Sequence, residues 1–493
     1  MISSRVSRFR SVGTKSLTRL LKQPNIPRCT PATEASALAS ATAITTTTII
    51  TKRYASDYPS PSQLPNESMR KEHLIRSSTE NLIKLLADEP LPTVSLNDLL
   101  KFNSTTSHHS KSLMLVENAN ETLHDMLVLV CKRLVQFMEL PYIVILNPKI
   151  AEIYDTYLET LKVLLQFIQQ CSPDCEIKSY NDFEFLTNFK IDNLEQNNEF
   201  IKVLMKTIDL HTDNLTVLSE GFEEILGLNI VDDKAFLNDH LKERILMRLL
   251  ANHHILLSSQ LINEGGDFDK LNEVGIIEKN VNVLEVLSRS SSFVNDMSSL
   301  KYDEKVAMKV QTVIINEDDS VTIENVDDLA NYQNYTPVIF PYISAHIEYV
   351  LNEILKNSTR AHIENKVNKP VEALVLVNKP NLKKPGPQFY KLEVRITDNG
   401  KGIKPEILDK LFEYSFTTFD ADAVDGDSYK TLNNTGANQA NIIAGMGYGL
   451  PLSLTYNRLF HGDISLKSVY GHGTTVYLKW VGIDAKKLYS TDE

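Results

Sequence analysis

Cysteine is scarce, with four in 493 residues: Cys29, Cys131, Cys171 and Cys175. Cys171 and Cys175 could touch if helical, but with no further His or Cys partner at metal-ligand spacing neither a zinc site nor a redox centre is expected. Cys131 lies among apolar residues of helical spacing, the ordinary setting of a buried thiol. Long hydrophobic runs are missing too. The stretch from Leu140 to Leu146 is among the longest, against the roughly 18 residues that cross a bilayer, which excludes a membrane-spanning helix. Glycine (18) and proline (19) are too few for a collagenous chain, and 42% hydrophobic residues are too many for a wholly disordered one. No repeat recurs at a solenoid period. The length allows two to four domains, each with a core of its own.

Acidic residues are nearly absent from the first 54 positions, where Arg5, Arg8, Arg10, Lys15, Arg19, Lys22, Arg28, Lys52 and Arg53 face Glu34 alone, a net charge of +8. The whole chain carries −12, so the remainder carries −12 − 8 = −20. So acidic a body argues against wrapping nucleic acid, although a local basic patch stays open. The N-terminal segment is rich in Arg, Ser and Thr, and Ile2, Val6, Phe9, Leu17 and Leu20 fall near helical spacing. That is the composition of a mitochondrial presequence, and Lys52-Arg53-Tyr54-Ala55 resembles a matrix-protease cleavage site. Residues 1–54 are therefore read as a presequence and the matrix as the destination.

From about 68 to 300 the apolar period is helical. Ile201, Leu204, Ile208, His211, Leu215, Leu218, Phe222 and Ile225 draw one stripe that predicts a single long helix. Phe236–Leu257, Thr122–Met138 and Pro148–Gln170 show the same spacing, and together these segments predict an N-terminal four-helix-type bundle. After about 305 short alternating runs appear, such as Leu392, Val394 and Ile396 or Val476, Leu478 and Trp480, which predict an α/β sandwich domain over 305–482 and a tail over 483–493. The polar stretches 176–198, 315–336 and 420–441 read as loops or insertions.

The chemistry concentrates in this second half. A helix over 344–364 brings Glu353, Asn357 and Arg360 onto one face, a carboxylate, a carboxamide and a guanidinium suited to a base, a metal ligand and a phosphate anchor. Alone, such a cluster is most often a solvated helix face. The strand Lys391–Thr397 then runs into Asp398-Asn399-Gly400-Lys401-Gly402, where glycines let the backbone turn close to a ligand. Gly445-Met446-Gly447-Tyr448-Gly449-Leu450 opens a helix whose first amides are suited to phosphate, and Gly471-His472-Gly473-Thr474-Thr475 leads into a last strand. There is no GxxxxGK[ST], HRD or DFG, which excludes P-loop and ordinary eukaryotic protein-kinase machinery.

These four elements in this order resemble the nucleotide site shared by gyrase, heat-shock chaperones, histidine kinases and mismatch-repair ATPases. Within that group the strings NEILKNSTRA, RITDNGKGI, LFEYSFTT, AGMGYGLPLS and GHGTTVYLKW look like those of the mitochondrial 2-oxo-acid dehydrogenase kinases, as do ELPYIVILNP, the stretch around His211 and RLLANHHILL. The resemblance covers roughly 68–482. It implies ATP and Mg²⁺ as cofactors, with Asn357 as Mg²⁺ ligand, Glu353 as the base for a substrate serine, and Lys356 and Arg360 near phosphates. It further implies Asp398 as acceptor of the adenine amino group, with Gly400, Gly402 and Thr475 beside it, and Thr417 and Thr418 next to a mobile lid at 420–441. Gly445, Met446, Gly447, Tyr448, Gly449 and Leu450 would cradle the triphosphate, and the carbonyls of Leu411, Glu413 and Phe416 match a K⁺ site.

By the same resemblance the chain is a Ser/Thr kinase acting on the E1 subunit of pyruvate dehydrogenase, with the branched-chain 2-oxo-acid dehydrogenase as the alternative. The implied partners are E1, the E2 lipoyl domain and a second kinase chain in a homo- or heterodimer. Tyr349 stands where pyruvate dehydrogenase kinases usually carry His, as in branched-chain kinases, and the end AKKLYSTDE lacks the Asp-Trp tail of the animal pyruvate dehydrogenase kinases. A chaperone-type ATPase is the enzymatic rival, but no client domain follows the last strand. A two-component histidine kinase lacks its HExxxP box here, and intact Glu353, Asn357 and Asp398 argue against a non-catalytic adaptor. His211 sits on an apolar stripe and reads as a satisfied buried histidine, while His253 and His254 point about 100° apart and do not suit a shared metal.

Overall fold

A computed structural model describes residues 66–104, 108–172, 189–212, 214–226, 233–263, 271–414 and 448–488. Residues 1–54 and 420–441 lie outside them. The chain divides into two compact units, Met1–Glu72 and His73–Glu493. The helical part consists of α1 (Asn66–Ala87), α2 (His108–Met138), α3 (Pro148–Cys171), α4 (Leu194–Leu210), α5 (Asn214–Leu226) and α6 (Asp233–Asn263). Helix α3 begins as its sequence dictates, with Pro148 at the first position and the Asn147 side chain accepting the amide of Lys149 at 2.9 Å. Helix α4 is capped in the same way by Asn193.

One expectation fails here. The stripe from Ile201 to Ile225 is not one helix: α4 ends at Leu210 with His211 as its C-cap, and α5 starts at Asn214. The apolar period carries across the break, but Thr212-Asp213-Asn214 are residues that favour caps over helix interiors. Arg244 of α6 donates from Nη2 to the buried C-cap carbonyl of His211 at 3.1 Å, satisfying a group that a helix end leaves without an intrahelical partner.

Helix α2 packs against α3, α4 and α6, and α3 against α4 and α5. Two polar groups are buried among them as an ion pair, Arg133 to Glu243 at 2.5 Å, with the guanidinium also 5.3 Å from the centre of the Phe236 ring.

A two-residue ladder, β1 (Glu273–Val274) with β2 (Ile277–Glu278), interrupts the helical half and was not foreseen. Helix α7 (Val283–Tyr302) follows, capped by Asn282. The strands β3 (Met308–Ile315), β4 (Val321–Val326), β5 (Val371–Asn378), β6 (Phe389–Asp398), β7 (Asp463–Val469) and β8 (Gly473–Asp484) form one sheet in the order β4-β3-β5-β6-β8-β7. Only β3 and β5 run parallel, and α8 (Ser344–Glu364) lies on the crossover between them. The expected loop 315–336 contains β4 instead. Val321 and Ile323 alternate as a strand should, but the strand is at the sheet edge, both side chains are exposed, and the polar neighbours mask the period.

Helix α8 packs on α7, β6 and α9 (Gly449–Leu459). The inward residues of the strands, Val375, Leu392, Val394, Ile396, Leu478 and Trp480, join Ile347, Leu351 and Ile354 of α8 in a core continuous with that of the helical half. The sheet with its helices is the α/β part of an α + α/β architecture. Among the described residues no helix is long and apolar enough to cross a membrane.

Candidate functional site

The site is built on α8. Its buried stripe, Ile347, Leu351, Ile354 and Ser358, fixes the helix rotation, and that rotation decides where the polar residues point. Glu353 is 5% exposed, and its Oε1 accepts a hydrogen bond from Lys356 Nζ one turn on. Both side chains are well buried, so the pair is a fixed feature rather than a surface contact. Asn357, on the next turn, is exposed, and no hydrogen bond joins its carboxamide to another described residue. Arg360 turns away toward Glu364, at 2.5 Å, and lies close enough to Tyr302 and Lys301 of α7 to act on both electrostatically. The expected face is thus divided: Glu353, Lys356 and Asn357 stay together, and Arg360 leans to α7.

Asp398 is the last residue of β6, on the helix-facing side of the sheet and 6% exposed. Its Oδ1 accepts the amide of Gly400 at 3.0 Å. Burial raises the carboxyl above its ordinary value, opposed by the amides of Gly400 and Thr474 and by nearby His362. Thr474 is the residue paired with Asp398 in the ladder, buried on the same face, with Oγ1 2.9 Å from Ser468 Oγ. Thr475 is not brought to the carboxylate. Side chains alternate along a strand, so it stands on the other face, 3.1 Å from Thr397 Oγ1. Gly473 precedes them at φ +125, where a Cβ would lie 3.0 Å from the Asn399 Cα; only glycine lets β8 pass this close to the Asp398 turn. Gly402 closes the turn at φ +70.

The first turn of α9 lies against Glu353: a Cβ on Gly449 would fall onto the carboxylate, 3.0 Å from its Cδ. Tyr448 is fully buried, its ring 5.5 Å from that of Tyr414, whose hydroxyl is 3.0 Å from Thr455 Oγ1. Leu450 packs at the edge of the core. Tyr349 sits one turn before Glu353, its ring 4.8 Å from that of Tyr456, and its buried hydroxyl lacks a hydrogen-bond partner among the described residues. Burial and the Glu353 charge push that phenol well above its usual range. Thr417, Thr418, Phe416, Gly445, Met446 and Gly447 lie outside the described residues; Leu411 and Glu413 are in the turn after Pro405–Leu408.

With this geometry in hand, the relatives agree. Residues 93–278 match the profile of the mitochondrial branched-chain alpha-ketoacid dehydrogenase kinase, and residues 343–482 match that of the histidine kinase-, DNA gyrase B- and HSP90-like ATPases. The chain is 30% identical over 434 residues to the Saccharomyces cerevisiae protein pyruvate dehydrogenase (acetyl-transferring) kinase 1, mitochondrial, across 88% of this chain and 94% of that one. The chain belongs to the mitochondrial 2-oxo-acid dehydrogenase kinase family. Human isozyme 1 of pyruvate dehydrogenase kinase is 24% identical over 80% of this chain and 78% of its own, and human isozyme 4 is 26% identical over 57% and 61%.

The residues fit the nucleotide that such an ATPase fold takes. A buried carboxylate with acceptor capacity to spare, Asp398, suits an amino donor, and an exposed carboxamide with no hydrogen-bond partner among the described residues, Asn357, suits Mg²⁺, which keeps most of its shell for water and phosphate. Among the described residues no three His, Cys, Asp or Glu gather as a metal site. His211 is buried with Nε2 2.9 Å from Thr160 Oγ1, and His254 is held between Asn118 and Asn197. Two residues near Asp398 escaped the sequence reading, Thr474 and His362. Thr474 follows from the strand period once Asp398 is placed inward. His362 looked like one more polar residue near a helix end, and nothing in its spacing marked it.

Proposed function

We propose that the chain is a mitochondrial, ATP-dependent protein kinase that phosphorylates a serine of the E1 component of the pyruvate dehydrogenase complex and so inhibits it. The observation that carries this reading is the union, on one helix, of a buried base held by a lysine and an exposed, uncommitted carboxamide, Glu353 and Asn357. The named relatives are pyruvate dehydrogenase kinases, and the similarity to the yeast protein runs over almost its whole length.

In this reading Glu353 orients the serine hydroxyl and accepts its proton, while Lys356 holds the carboxylate in the rotamer that faces α9. Asn357 would hold Mg²⁺, which when bound supplies charge neutralisation at the phosphates. Asp398 accepts the adenine amino group. The backbone from Gly445 to Leu450 cradles the triphosphate, with Thr417 and Thr418 beside it, and the carbonyls of Leu411, Glu413 and Phe416 take K⁺. Residues 1–54 direct the chain to the matrix and are then removed, 68–300 form a regulatory four-helix-type bundle, and 305–482 carry the kinase reaction. The kinase docks through the E2 lipoyl domain and pairs with a second kinase chain.

Two observations favour the branched-chain dehydrogenase as substrate instead: Tyr349 in place of His, and the match of 93–278 to the branched-chain kinase profile. One experiment separates them. The chain lacking residues 1–54 is incubated with Mg-ATP and either purified E1, and phosphoserines are mapped. Phosphate on pyruvate dehydrogenase E1 alone supports the first reading, phosphate on the branched-chain E1 alone the second, and phosphate on neither rejects both.

A further inference from the structure

The short turn that presents Asp398 is held from two sides. On one side Gly473 of β8 presses against the backbone of Asp398 and Asn399. On the other, the turn rests on the last residues of α8: a Cβ at Gly400 would come within 2.8 Å of Ala361 Cβ and 3.1 Å of the Ala361 carbonyl. At this second seat His362, 1% exposed, accepts the amide of Asn399 on Nε2 at 2.9 Å. The acceptor role requires the proton to sit on Nδ1. Burial holds the imidazole below its ordinary value, so it is a neutral acceptor near pH 7.

We infer that His362 is a positioning residue for base recognition, anchoring the Asn399 amide so that the next amide, Gly400, can aim the Asp398 carboxylate at an adenine amino group. The inference rests on the proposed role of Asp398. Its logic is a relay of backbone donors. His362 fixes the planar peptide between Asp398 and Asn399, the seat on Ala361 holds the next peptide at Gly400, and the Gly400 amide fixes Oδ1 of Asp398. Removing the imidazole leaves the half-buried Asn399 N–H without this acceptor. The turn then moves toward water, and the carboxylate loses its orientation rather than its charge. Adenine offers an amino donor where guanine offers a carbonyl oxygen, so an aimed carboxylate favours ATP over GTP, and a loose one discriminates less.

The test measures dissociation constants for Mg-ATP and Mg-GTP by calorimetry, with melting temperatures, on the chain lacking residues 1–54 and on His362→Leu, His362→Gln, His362→Asn and Asp398→Asn. Loss of one buried hydrogen bond predicts that His362→Leu weakens ATP by about 5- to 20-fold and GTP by much less. Gln places an oxygen about as far along the side chain as Nε2 and should recover most of the affinity and the discrimination; Asn is one bond short and should not. Unchanged ATP affinity in His362→Leu, or equal weakening of ATP and GTP, would overturn the inference. If His362→Leu does not fold, the comparison of the Gln and Asn variants decides, and equal ATP affinity in those two refutes it. Asp398→Asn reports on the underlying reading separately: if that variant binds ATP as the parent does, the role of Asp398 is wrong whatever His362 does.

Discussion

Adding one methyl group at Gly449 should disable the base while leaving the fold and the nucleotide in place. Gly449 opens α9 and has no positive φ, so alanine is allowed there by the backbone and is the better helix former. The new Cβ, however, would stand 3.0 Å from Glu353 Cδ and 3.6 Å from its Cγ, with Oε2 closer still. Non-bonded carbons settle at about 3.5–4.0 Å, so the carboxylate must retreat by roughly 0.5–1 Å. It is the end of a flexible side chain and can do so cheaply, but only by leaving the position in which Lys356 holds it. A misplacement of about 1 Å at a reacting group costs on the order of 10²-fold. Phosphoryl transfer to E1 by Gly449→Ala should therefore fall about 10- to 100-fold. The melting temperature should stay within a few degrees of the parent's, and Mg-ATP should bind within about threefold, since propensity gain and local adjustment are each near 1 kcal/mol or less. Full transfer activity in this variant would refute the placement of the base, and loss of nucleotide binding to the same degree as activity would show that the added methyl disturbs the phosphate cradle rather than the base.

Asn357→Ala should raise the dissociation constant for Mg-ATP at least 100-fold with the melting temperature unchanged, because the side chain is exposed and holds no hydrogen-bond partner among the described residues; calorimetry checks both. Glu353→Gln should bind Mg-ATP normally yet transfer phosphate about 10²- to 10⁴-fold more slowly, so equal loss of affinity in the two variants would mean the roles are misassigned. Arg133→Met should cost about 3–5 kcal/mol in urea unfolding by stranding Glu243, whereas Arg133→Met with Glu243→Leu should recover most of it; no recovery would mean the pair itself stabilises α2 against α6. Acid should unfold the protein early. Burial holds His211, His253 and His346 down at about 3 and His254 at about 4, against 6.5 in the unfolded chain, so the unfolded state binds more protons between those limits. Stability is complete above pH 6.5 and falls below it by up to about 1.4 kcal/mol per histidine per pH unit. Asp125, raised to about 6, acts in the opposite direction, as do Glu243 and Asp398, whose carboxyls burial also raises; between pH 7 and 5.5 the four histidines outweigh them. A melting temperature that is flat from pH 7 to 5.5 would contradict this.

The sequence made α8 and its chemistry legible because two codes coincide there. The stripe Ile347, Leu351, Ile354 and Ser358 sets the buried side at a period of 3.6, and Glu353 and Asn357 then fall on a face that the stripe itself defines. Strands β6 and β8 were equally plain, since Leu392, Val394 and Ile396 alternate strictly and all prove buried. Legibility failed where a local signal was weaker than its surroundings. The period through His211 predicts one helix because hydrophobic spacing records which side is buried and is silent on whether the backbone is continuous; the break is written only in cap-forming residues. Strand β4 was lost because an edge strand needs no buried face. Thr475 was chosen over Thr474 because a motif fixes position along a strand to within a residue, and one residue reverses the face. His362 was invisible because its partner is a backbone amide from another element, and no side-chain pattern encodes that contact.

Under the proposed roles, α8 also sets the spacing of the whole site. Glu353 and His362 are nine residues apart, about 13 Å along the helix axis at 1.5 Å per residue, with Asn357 between them. The N-terminal part of that span is closed over by α9 at Gly449, and the C-terminal part carries the Asp398 turn. Base recognition, metal and proton acceptor would then lie in order along one rigid rod, which is the arrangement an extended nucleoside triphosphate requires. Helix α8 in turn is fixed by its buried stripe, by α7 behind it and by β6 beneath it. The backbone position of each group on α8 is therefore set by packing distributed over the core, and the polar neighbours aim the side chains that it presents. That is why deleting the polar groups should separate binding from transfer, Asn357 from Glu353, with the fold intact. A change in the stripe itself, such as Leu351→Ala, should instead lower stability by about 2–5 kcal/mol and degrade both functions together.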